Sequence, residues 1–476
     1  MQHLTDASPQ QRPYPKSKLI SSSSSRDKRR SSVLQRQRAA RRELTDSLRA
    51  LHRDTIAEDD VDSMTRSGNG SQLYESDVIQ EDDGMMVDGQ GQVQAEKIAL
   101  RRKRARARQA TIYANRFAIP EWMIEIPHDL HPTGGGGGWL VMPQPMGKRC
   151  LMAATGGLTL TRMTSGEVLH RLASPLPNGS AWAKGPKNGW TLLDCVYQES
   201  SRTYYVLDLL CWRKMELYDC ACDFRLFFLR SKFAEEMEHR AGAILMHGTD
   251  ASNETFHLEL LPWYECHRTG LQMLRSASFP FEQDGFLFWN KEGYVQAGLT
   301  PLILLWKDAH SSHSLYRDSL LPRWSAVLSV RLCEDPGEGK TQDYLLLTLE
   351  GLAVGSVTRD EFHRWSRSQE QGEAGSIGGE GDIEGEGFLV CFWYEEATED
   401  ETSQEHRLHG LTYRRICVPS SETADCWSKL LFQSRVKRGM EGGAVTFDML
   451  LCDVEREIAH TGTLREGMIQ ARGSEK

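Results

Sequence analysis

The sequence predicts an α+β fold, in which a strand-rich antiparallel domain spans about residues 115–460 and follows a basic arm. Two observations predict this class. Short runs of valine, leucine and aromatic residues alternate with turn residues throughout the domain, a pattern typical of strands. The first 110 residues are instead dominated by serine and by blocks of charge, and the mean hydropathy of the chain is −0.50. We therefore expect a packed core preceded by a disordered segment.

The predicted sheet is centred on a β-hairpin. Residues 192–197 and 204–212 are apolar runs separated by the polar stretch QESSR, which indicates two strands and a turn. Asp208 lies within the second run, on a strand that is expected to be buried on both faces. Because an unpaired buried charge is costly, Asp208 requires a cation, and Arg213 and Arg225 are the nearby candidates. A structural ion pair and a functional carboxylate are both open interpretations.

Other segments are assigned from the same patterns. Strands are predicted at 139–142, 149–155, 158–163 and 255–264, with a strand–turn–strand unit at 284–310. Helices are predicted at 233–248 and 270–276, and amphipathic patterns follow at 424–436 and 449–459. Residues 321–476 are expected to extend the sheet, interrupted by an acidic glycine-rich loop at 372–387. A small separate domain is the alternative for this region.

Composition narrows the class of protein. The formal net charge is −9, and the 11 cysteines show no zinc-site spacing beyond the single CxC of Cys220 and Cys222. We therefore expect reduced thiols, no metal and no cofactor. The first residues lack the apolar region of a secretory signal, and no run of 18 apolar residues predicts a membrane span.

Charge is strongly segregated in the first 110 residues. Residues 1–25 are rich in serine and proline and are predicted to be disordered. Residues 26–55 have helical composition, and 26–53 carry ten Lys or Arg against three acids. The stretch 56–110 is a linker, first acidic and then basic at RRKRARAR. The pattern favours a helix that folds on an acidic partner, with a solvated basic tail or a nucleic-acid partner as alternatives.

Several catalytic motifs are missing. The sequence contains no GxSxG, no HExxH, no GxxxxGK[ST] and no GxGxxG that opens a helix after a strand. These absences weaken the hydrolase, zincin and nucleotide-hydrolase interpretations.

Two of the tryptophans stand out by their neighbours. Trp122 lies in PEWMIEIP beside Glu121, and Trp306 ends an apolar run and precedes Lys307. An indole at a strand end, next to charge, can stack on a base and attract a cation. The basic pair Lys148–Arg149, with Arg162 nearby, can bind phosphates. The competing interpretation is that both indoles belong to the core, where tryptophan is usually found.

Several long blocks resemble the snurportin family. They are the 191–232 segment with LDCVY, YYVLDLLCWR and DFR, and GKRCLMAATGG, LASPLPNG, FPFEQDGFLF, TPLILLW and YAN followed by EW. PKSK, ahead of the arginine-rich segment, and the trailing AEDD also match. The resemblance covers residues 12–310 in unbroken order, and nothing beyond about residue 330 is recognised.

The resemblance implies a nuclear import adaptor that is not an enzyme. Its partners would be importin β, the 2,2,7-trimethylguanosine cap of spliceosomal small nuclear RNA, and an exportin for recycling between nucleus and cytoplasm. Residues 111–320 would form the cap-binding domain. The implied cap contacts are Trp122, Trp306, Lys148, Arg149, Cys150, Thr164, Arg230, Ser231 and Lys232. The implied importin-β contacts are Arg29, Arg30, Arg36, Arg38, Arg41, Arg42, Leu44, Leu48 and Arg49.

Three positions depart from the family pattern. Pro120 stands where the family has serine, Thr164 aligns with a cap-contacting lysine, and one extra residue precedes Trp306. The same blocks resemble the nucleotide-binding core of guanylyltransferases and ligases, whose nucleophile is the lysine of KxDG. The sequence contains no KxDG, so the covalent intermediate of those enzymes is not expected. An active nucleotidyltransferase and a general RNA-binding protein are the alternative functions.

Overall fold

The computed structural model describes thirteen stretches of the chain. They are residues 25–40, 117–131, 138–164, 166–183, 189–237, 244–249, 254–319, 323–333, 343–362, 388–400, 405–417, 423–438 and 443–452, with single positions at 185, 321 and 364. The predicted disordered segment, the linker and the glycine-rich loop at 372–387 therefore lie outside the described residues.

Five helices have defined bounds in these stretches. They are α1 (Ser25–Ala39), α2 (Cys222–Met237), α3 (Arg268–Ser276), α4 (His313–Ser319) and α5 (Trp427–Lys437). The sequence of α1 contains no glycine or proline, which suits a helix. None of the described helices is both long and apolar enough to cross a membrane.

A large eight-stranded sheet contains the central hairpin. Its strands are β3 (Lys148–Thr155), β4 (Leu158–Met163), β5 (Val168–Ala173), β6 (Trp190–Gln198), β7 (Thr203–Trp212), β8 (Met215–Glu216), β9 (Ile244–Gly248) and β10 (Thr255–Leu260). The order is β10-β9-β5-β4-β3-β6-β7-β8, and β10 also pairs with β7, so the sheet closes on itself. Because β6 and β7 are buried along their whole length, the hairpin lies at the centre of this closed sheet, as predicted.

Asp208 is paired with Arg225 beneath the hairpin. Arg225 lies on α2 and donates from Nη2 to Asp208 Oδ2 at 2.7 Å and from Nε to Oδ1 at 3.0 Å. Its Nη1 donates to the carbonyl oxygens of Cys220 and Gly293. Both charged side chains are almost fully buried, so the pair meets the requirement for a buried charge. The geometry supports the structural interpretation of Asp208, with Arg225 rather than Arg213 as its cation.

A second sheet of five strands packs beside the closed sheet. Its strands are β1 (Ala118–Trp122), β2 (Trp139–Pro145), β11 (Tyr264–Glu265), β12 (Gln283–Asn290) and β13 (Gly298–Trp306), in the order β1-β13-β12-β2-β11. One face, with Leu140, Met142, Leu287, Trp289 and Ile303, packs against the closed sheet and α2. The opposite face, with Trp139, Val141, Phe286, Phe288, Leu304 and Trp306, belongs to a different core cluster.

Strands beyond residue 320 form their own sheets. These strands are β14 (Trp324–Leu332), β15 (Tyr344–Leu347), β16 (Ala353–Val357), β17 (Phe388–Tyr394), β18 (Glu396–Asp400), β19 (Glu405–His409) and β20 (Thr412–Ile416). Five of them pair in the order β16-β15-β14-β17-β20, and β18 pairs with β19. In the described residues none pairs with a strand before residue 320, so the expectation that this region extends the sheet is corrected. The region instead packs its strands and α5 face to face on the five-stranded sheet.

The predicted α+β class is confirmed, and most predicted strands are found within a few residues. The described strand pairs are antiparallel except for two parallel pairs, β1 with β13 and β10 with β7. The helix predicted at 233–248 is wrong in position. Helix α2 begins at Cys222, eleven residues earlier, and residues 244–248 form strand β9.

Candidate functional site

The two singled-out indoles lie at the ends of neighbouring strands. Strand β1 pairs with β13 in parallel, and Trp122 is opposite Leu305, one residue before Trp306. Phe286, near the start of β12, pairs with Trp306. The same end of β12 pairs with Pro145 at the end of β2, just before the turn that leads into β3. The fold thus brings both indoles to one end of the five-stranded sheet.

Trp306 is fully buried in this structure. Its ring is stacked on Phe286, with centroids 5.8 Å apart, and also contacts Phe447, with centroids 5.9 Å apart. Indole Nε1 donates a hydrogen bond of 2.8 Å to the carbonyl oxygen of Val445. Residues near 445–447 therefore cover this indole, which corrects the expectation of an open Trp306. Its stacking role stays a prediction and requires that segment to move away.

Trp122 is half-buried, and its ring is more accessible than that of Trp306. One neighbour is Phe432 of α5, at 5.1 Å between centroids, and another is Lys307, whose Nζ lies 5.0 Å from the ring centroid. Lys307 also donates to Asp284 at 2.6 Å. Burial lowers the pKa of Lys307, while the charge of Asp284 opposes that change. A cation already occupies the surroundings of Trp122, which is consistent with an indole that attracts positive charge.

The strand alternation explains why Trp306 faces away from the closed sheet. Ile303 and Leu305 point to the closed sheet, whereas Leu304 and Trp306 point to the C-terminal sheet. Side chains of a strand alternate between faces, so one extra residue moves a side chain to the opposite face. Trp306 therefore lies on the face opposite to that of Leu305, and Leu305 packs toward the closed sheet.

Gly285 is required by the close approach of β12 to the end of β13. Its φ is +108°, and a Cβ atom there would lie 2.6 Å from the carbonyl oxygen of Trp306 and 2.7 Å from Cγ of Lys307. The glycine of the DGFLF block thus shapes the surroundings of both Trp306 and Lys307.

We expect Gly285→Ala to lower the free energy of unfolding by more than about 1 kcal/mol, because alanine is strained at this φ and also clashes. Gly351→Ala is the matched control, since Gly351 has a φ of +81° but no atom within 4 Å of the added Cβ. Urea unfolding of both variants measures the difference. An equal loss in the two variants would show that the close approach adds nothing to the backbone strain.

The predicted basic pair, Lys148 and Arg149, lies on β3 of the closed sheet, whereas both indoles lie on the five-stranded sheet. Lys148 is exposed at the start of β3 and pairs with Glu199 at 2.8 Å. Arg149 makes a bidentate contact with Asp194, at 3.0 and 2.6 Å. Thr164 follows β4, whose Met163 is opposite Cys150. The structure brings these four predicted contacts together, but Arg149 already has a carboxylate partner.

Cys150 is a fully buried thiol. Burial is the main cause that raises its pKa, and the nearby carboxylate of Asp194 acts in the same direction. The side chain is therefore a neutral, apolar part of the wall between the two sheets.

The third predicted group lies on helix α2. The guanidinium of Arg230 sits 4.1 Å from the ring centroid of Trp263. Ser231 donates to the carbonyl oxygen of Phe227, and Lys232 pairs with Glu235 at 2.6 Å. These residues form a separate surface on α2, and no described contact joins them to Trp122 or to Trp306.

Part of the predicted importin-binding segment is described. Arg29, Arg30, Arg36 and Arg38 lie on α1, which packs on the folded domain near β13. Arg41, Arg42, Leu44, Leu48 and Arg49 lie outside the described residues. The roles of these five residues therefore stay predictions.

Sequence reasoning missed the partners that surround the indoles. Lys307 follows TPLILLW and Asp284 begins DGFLF, but no pattern in the sequence predicted that these two side chains form an ion pair. Phe447 lies 141 positions after Trp306, and no local pattern links the two. Glu121 was noted as a neighbour of Trp122, and the structure shows it buried against Arg29 of α1.

One group of possible metal ligands occurs among the described residues, formed by Asp27, His128 and Asp129. Each acidic member has a partner within the protein. Asp27 contacts Arg30 and His128, and Asp129 accepts a 2.9 Å hydrogen bond from Trp139 Nε1. Contacts within the chain therefore explain why these three side chains lie close together.

Comparison with known proteins identifies the central part of the chain. Residues 116–308 match the family model described as Snurportin1, m3G cap-binding domain. This part of the chain is a snurportin-type domain. The match begins just before β1 and ends just after Trp306, so both indoles and the whole closed sheet lie within the snurportin-type domain.

Solved structures of DNA ligases show a distant likeness to the chain. Mycobacterial DNA ligase D complexed with ATP and MES has 14% identity, covers 66% of this chain and 99% of its own, and has a TM-score of 0.28. The ligase domain from M. tuberculosis LigD has 14% identity, with coverages of 60% and 92% and a TM-score of 0.24. A Lig E DNA ligase structure has 13% identity, with coverages of 63% and 98% and a TM-score of 0.25.

Proposed function

We propose that the protein is a nuclear import adaptor for RNA that carries the 2,2,7-trimethylguanosine cap. The snurportin-type domain would bind the cap, and the arginine-rich segment that begins in α1 would bind importin β. The observation that carries the proposal is the match of residues 116–308 to the snurportin cap-binding domain. We further propose that the protein shuttles between cytoplasm and nucleus, with an exportin returning it.

The chemistry of the cap suits the surroundings of Trp122. Methylation at N7 leaves a delocalised positive charge on the guanine, and an indole face attracts such a cation. In the free protein Lys307 lies 5.0 Å from this ring. Lys307 has Asp284 as a second partner, so it keeps a counter-charge when a cationic base takes its place over the indole.

Methylation of N2 sets the second requirement. Two methyl groups remove the donor hydrogens of N2, so an apolar wall suits this edge of the base better than a carboxylate. Cys150 is neutral but fully buried in the core of the closed sheet, so it does not form this wall. Phe432, which contacts the Trp122 ring, is an apolar side chain of the required type, and we expect selectivity for the trimethylated cap over the monomethylated cap from a wall of this kind.

We expect Trp122→Ala to weaken cap binding by about 5- to 150-fold, because stacking of a base on an aromatic ring contributes about 1–3 kcal/mol. Fluorescence titration of the full chain with a trimethylguanosine cap dinucleotide measures this loss. Trp182→Ala is the matched control, because Trp182 lies at the surface of a loop in the snurportin-type domain. Equal affinities of the two variants would contradict the stacking role, and equal affinity of the wild type for both caps would contradict the selectivity.

Two measurements distinguish the proposed function from the two alternative functions. A nucleotidyltransferase would carry an acid-resistant label after incubation with labelled GTP or ATP, but the chain has no KxDG lysine to form the intermediate. A general RNA-binding protein would show steep salt dependence and no dependence on the cap.

A further inference from the structure

Helix α1 already has acidic partners within its own chain. Arg29 pairs with Glu121 at 2.6 Å, Arg26 with Glu399 at 2.7 Å, and Arg38 with Glu292 at 2.6 Å. Arg29 and Arg38 are among the residues that the proposed function assigns to importin β. The same side chains cannot hold these partners and an acidic carrier at once.

Helix α1 is held on the domain by buried side chains as well as by ion pairs at the surface. Asp27, Arg30, Val33 and Gln37 are spaced by three or four residues, form one face of the helix and are all buried. Gln37 donates to the side chain of Gln296 at 2.9 Å. Its side-chain oxygen also accepts from the backbone of Tyr294 in the β12–β13 connection at 3.0 Å. A helix end held in this way has a defined register on the domain.

The partners of α1 come from three separate parts of the fold. Glu121 lies in β1 and Glu125 follows that strand, Glu292 lies between β12 and β13, and Glu399 belongs to β18 of the C-terminal region. We call Glu121, Glu125, Glu292 and Glu399 the acidic surface. It forms only when the snurportin-type domain and the C-terminal region are packed together, so it is a feature of the complete fold.

We propose that the acidic surface binds α1 within the chain and thereby competes with the carrier for the arginine-rich helix. The identity of the carrier rests on the proposed function, whereas the docking of α1 does not. The Arg38–Glu292 pair is exposed, so it is weak and screened by salt, whereas the Arg26–Glu399 pair and Glu121 are more buried and hold the helix more firmly. The docked helix can therefore compete with the carrier and still be displaced by it.

The test changes the acidic surface and leaves α1 untouched. The full chain with Glu121→Gln, Glu292→Gln and Glu399→Gln is compared with the wild type by hydrogen exchange of residues 25–39. The matched control carries Glu199→Gln, Glu235→Gln and Glu254→Gln, which removes three carboxylates paired with Lys148, Lys232 and Arg202. We expect about tenfold faster exchange of α1 in the first variant, and no change in the control. Unchanged exchange in both variants would overturn the docking.

Binding of importin β to the same proteins tests the competition. We expect the acidic-surface variant to bind importin β about tenfold more tightly than the wild type and the control. Faster exchange of α1 with unchanged importin affinity would overturn the competition. Faster exchange with no importin binding by any of the three proteins would leave the docking in place and overturn the proposed carrier.

A salt series on the wild type tests the docking of α1 without relying on correct folding of any variant. Exchange of residues 25–39 is expected to rise between low and high salt, while the buried strands at 190–212 remain protected. Salt-independent exchange of α1 would show that the ion pairs do not hold the helix.

Discussion

Replacement of Arg225 by methionine is expected to lower the free energy of unfolding by about 3–5 kcal/mol, because the buried carboxylate of Asp208 loses its cation. Arg225 is 1% exposed and makes hydrogen bonds to Asp208 and to two backbone carbonyl oxygens. The substitution preserves most of the side-chain volume, so the loss reports the charge and hydrogen bonds rather than a cavity. Urea unfolding monitored by circular dichroism measures it.

The matched control is Arg202→Met. Arg202 pairs with Glu254 at 3.1 Å, but both side chains are largely exposed, so the expected loss is below about 1 kcal/mol. A second variant, Asp208→Asn with Arg225→Met, removes both charges and should recover part of the loss. If Arg225→Met costs no more than Arg202→Met, the buried pair does not stabilise the closed sheet.

Replacement of Trp306 by alanine has the other large expected effect, a loss of about 3–5 kcal/mol in the free energy of unfolding. The indole is fully buried between side chains of three regions, and its N–H is bonded to Val445. Truncation leaves a cavity beside Phe286 and Phe447 and an unpaired carbonyl oxygen. The exposed Trp182→Ala is the control, with an expected change within about 0.5 kcal/mol.

Phe447→Ala separates a core role of Trp306 from a role in the cap site. If Trp306 also stacks on the cap, removal of the Phe447 ring exposes the indole and should raise cap affinity several-fold. If Trp306 serves the core alone, cap affinity stays at the wild-type value while stability falls. A loss of less than about 1 kcal/mol for Trp306→Ala would contradict its place in the core.

Local patterns predicted the parts of the fold that local chemistry decides. The QESSR spacer between two apolar runs was enough to place the β6–β7 hairpin, and Asp208 inside the second run was enough to require a buried cation. In both cases the residues that determine the structure lie within about 20 positions of each other. The snurportin resemblance placed the cap-binding domain at 111–320, and the family model matches residues 116–308.

Helix α2 shows where local patterns mislead. Its sequence, CDFRLFFLRSKFAEEM, is rich in phenylalanine, and the helix predicted for this part of the chain began only at residue 233. The helix is stabilised by its tertiary contacts, because Arg225 reaches Asp208 while Leu226 and Leu229 pack on the sheets. Tertiary packing of this kind overrides intrinsic preference.

The candidate site was predicted in its parts but not in its arrangement. Trp306 was placed correctly at the end of a strand, but no strand was predicted at Trp122, and the pairing of β1 with β13 depends on register between distant segments. The cover over Trp306 and the docking of α1 depend on contacts across more than a hundred residues, such as Arg26 with Glu399. Such contacts leave no trace in sequence spacing.

The shared core between the five-stranded sheet and the C-terminal sheet has a consequence for how the protein can be divided. A chain shortened near residue 320 would leave Trp139, Phe286, Phe288 and Trp306 on a bare apolar face. Faces of this size drive association in water, so the shortened chain would need another cover. The end of the family match at residue 308 therefore does not mark the end of the stable unit, because the later region shields the apolar face of the five-stranded sheet from water.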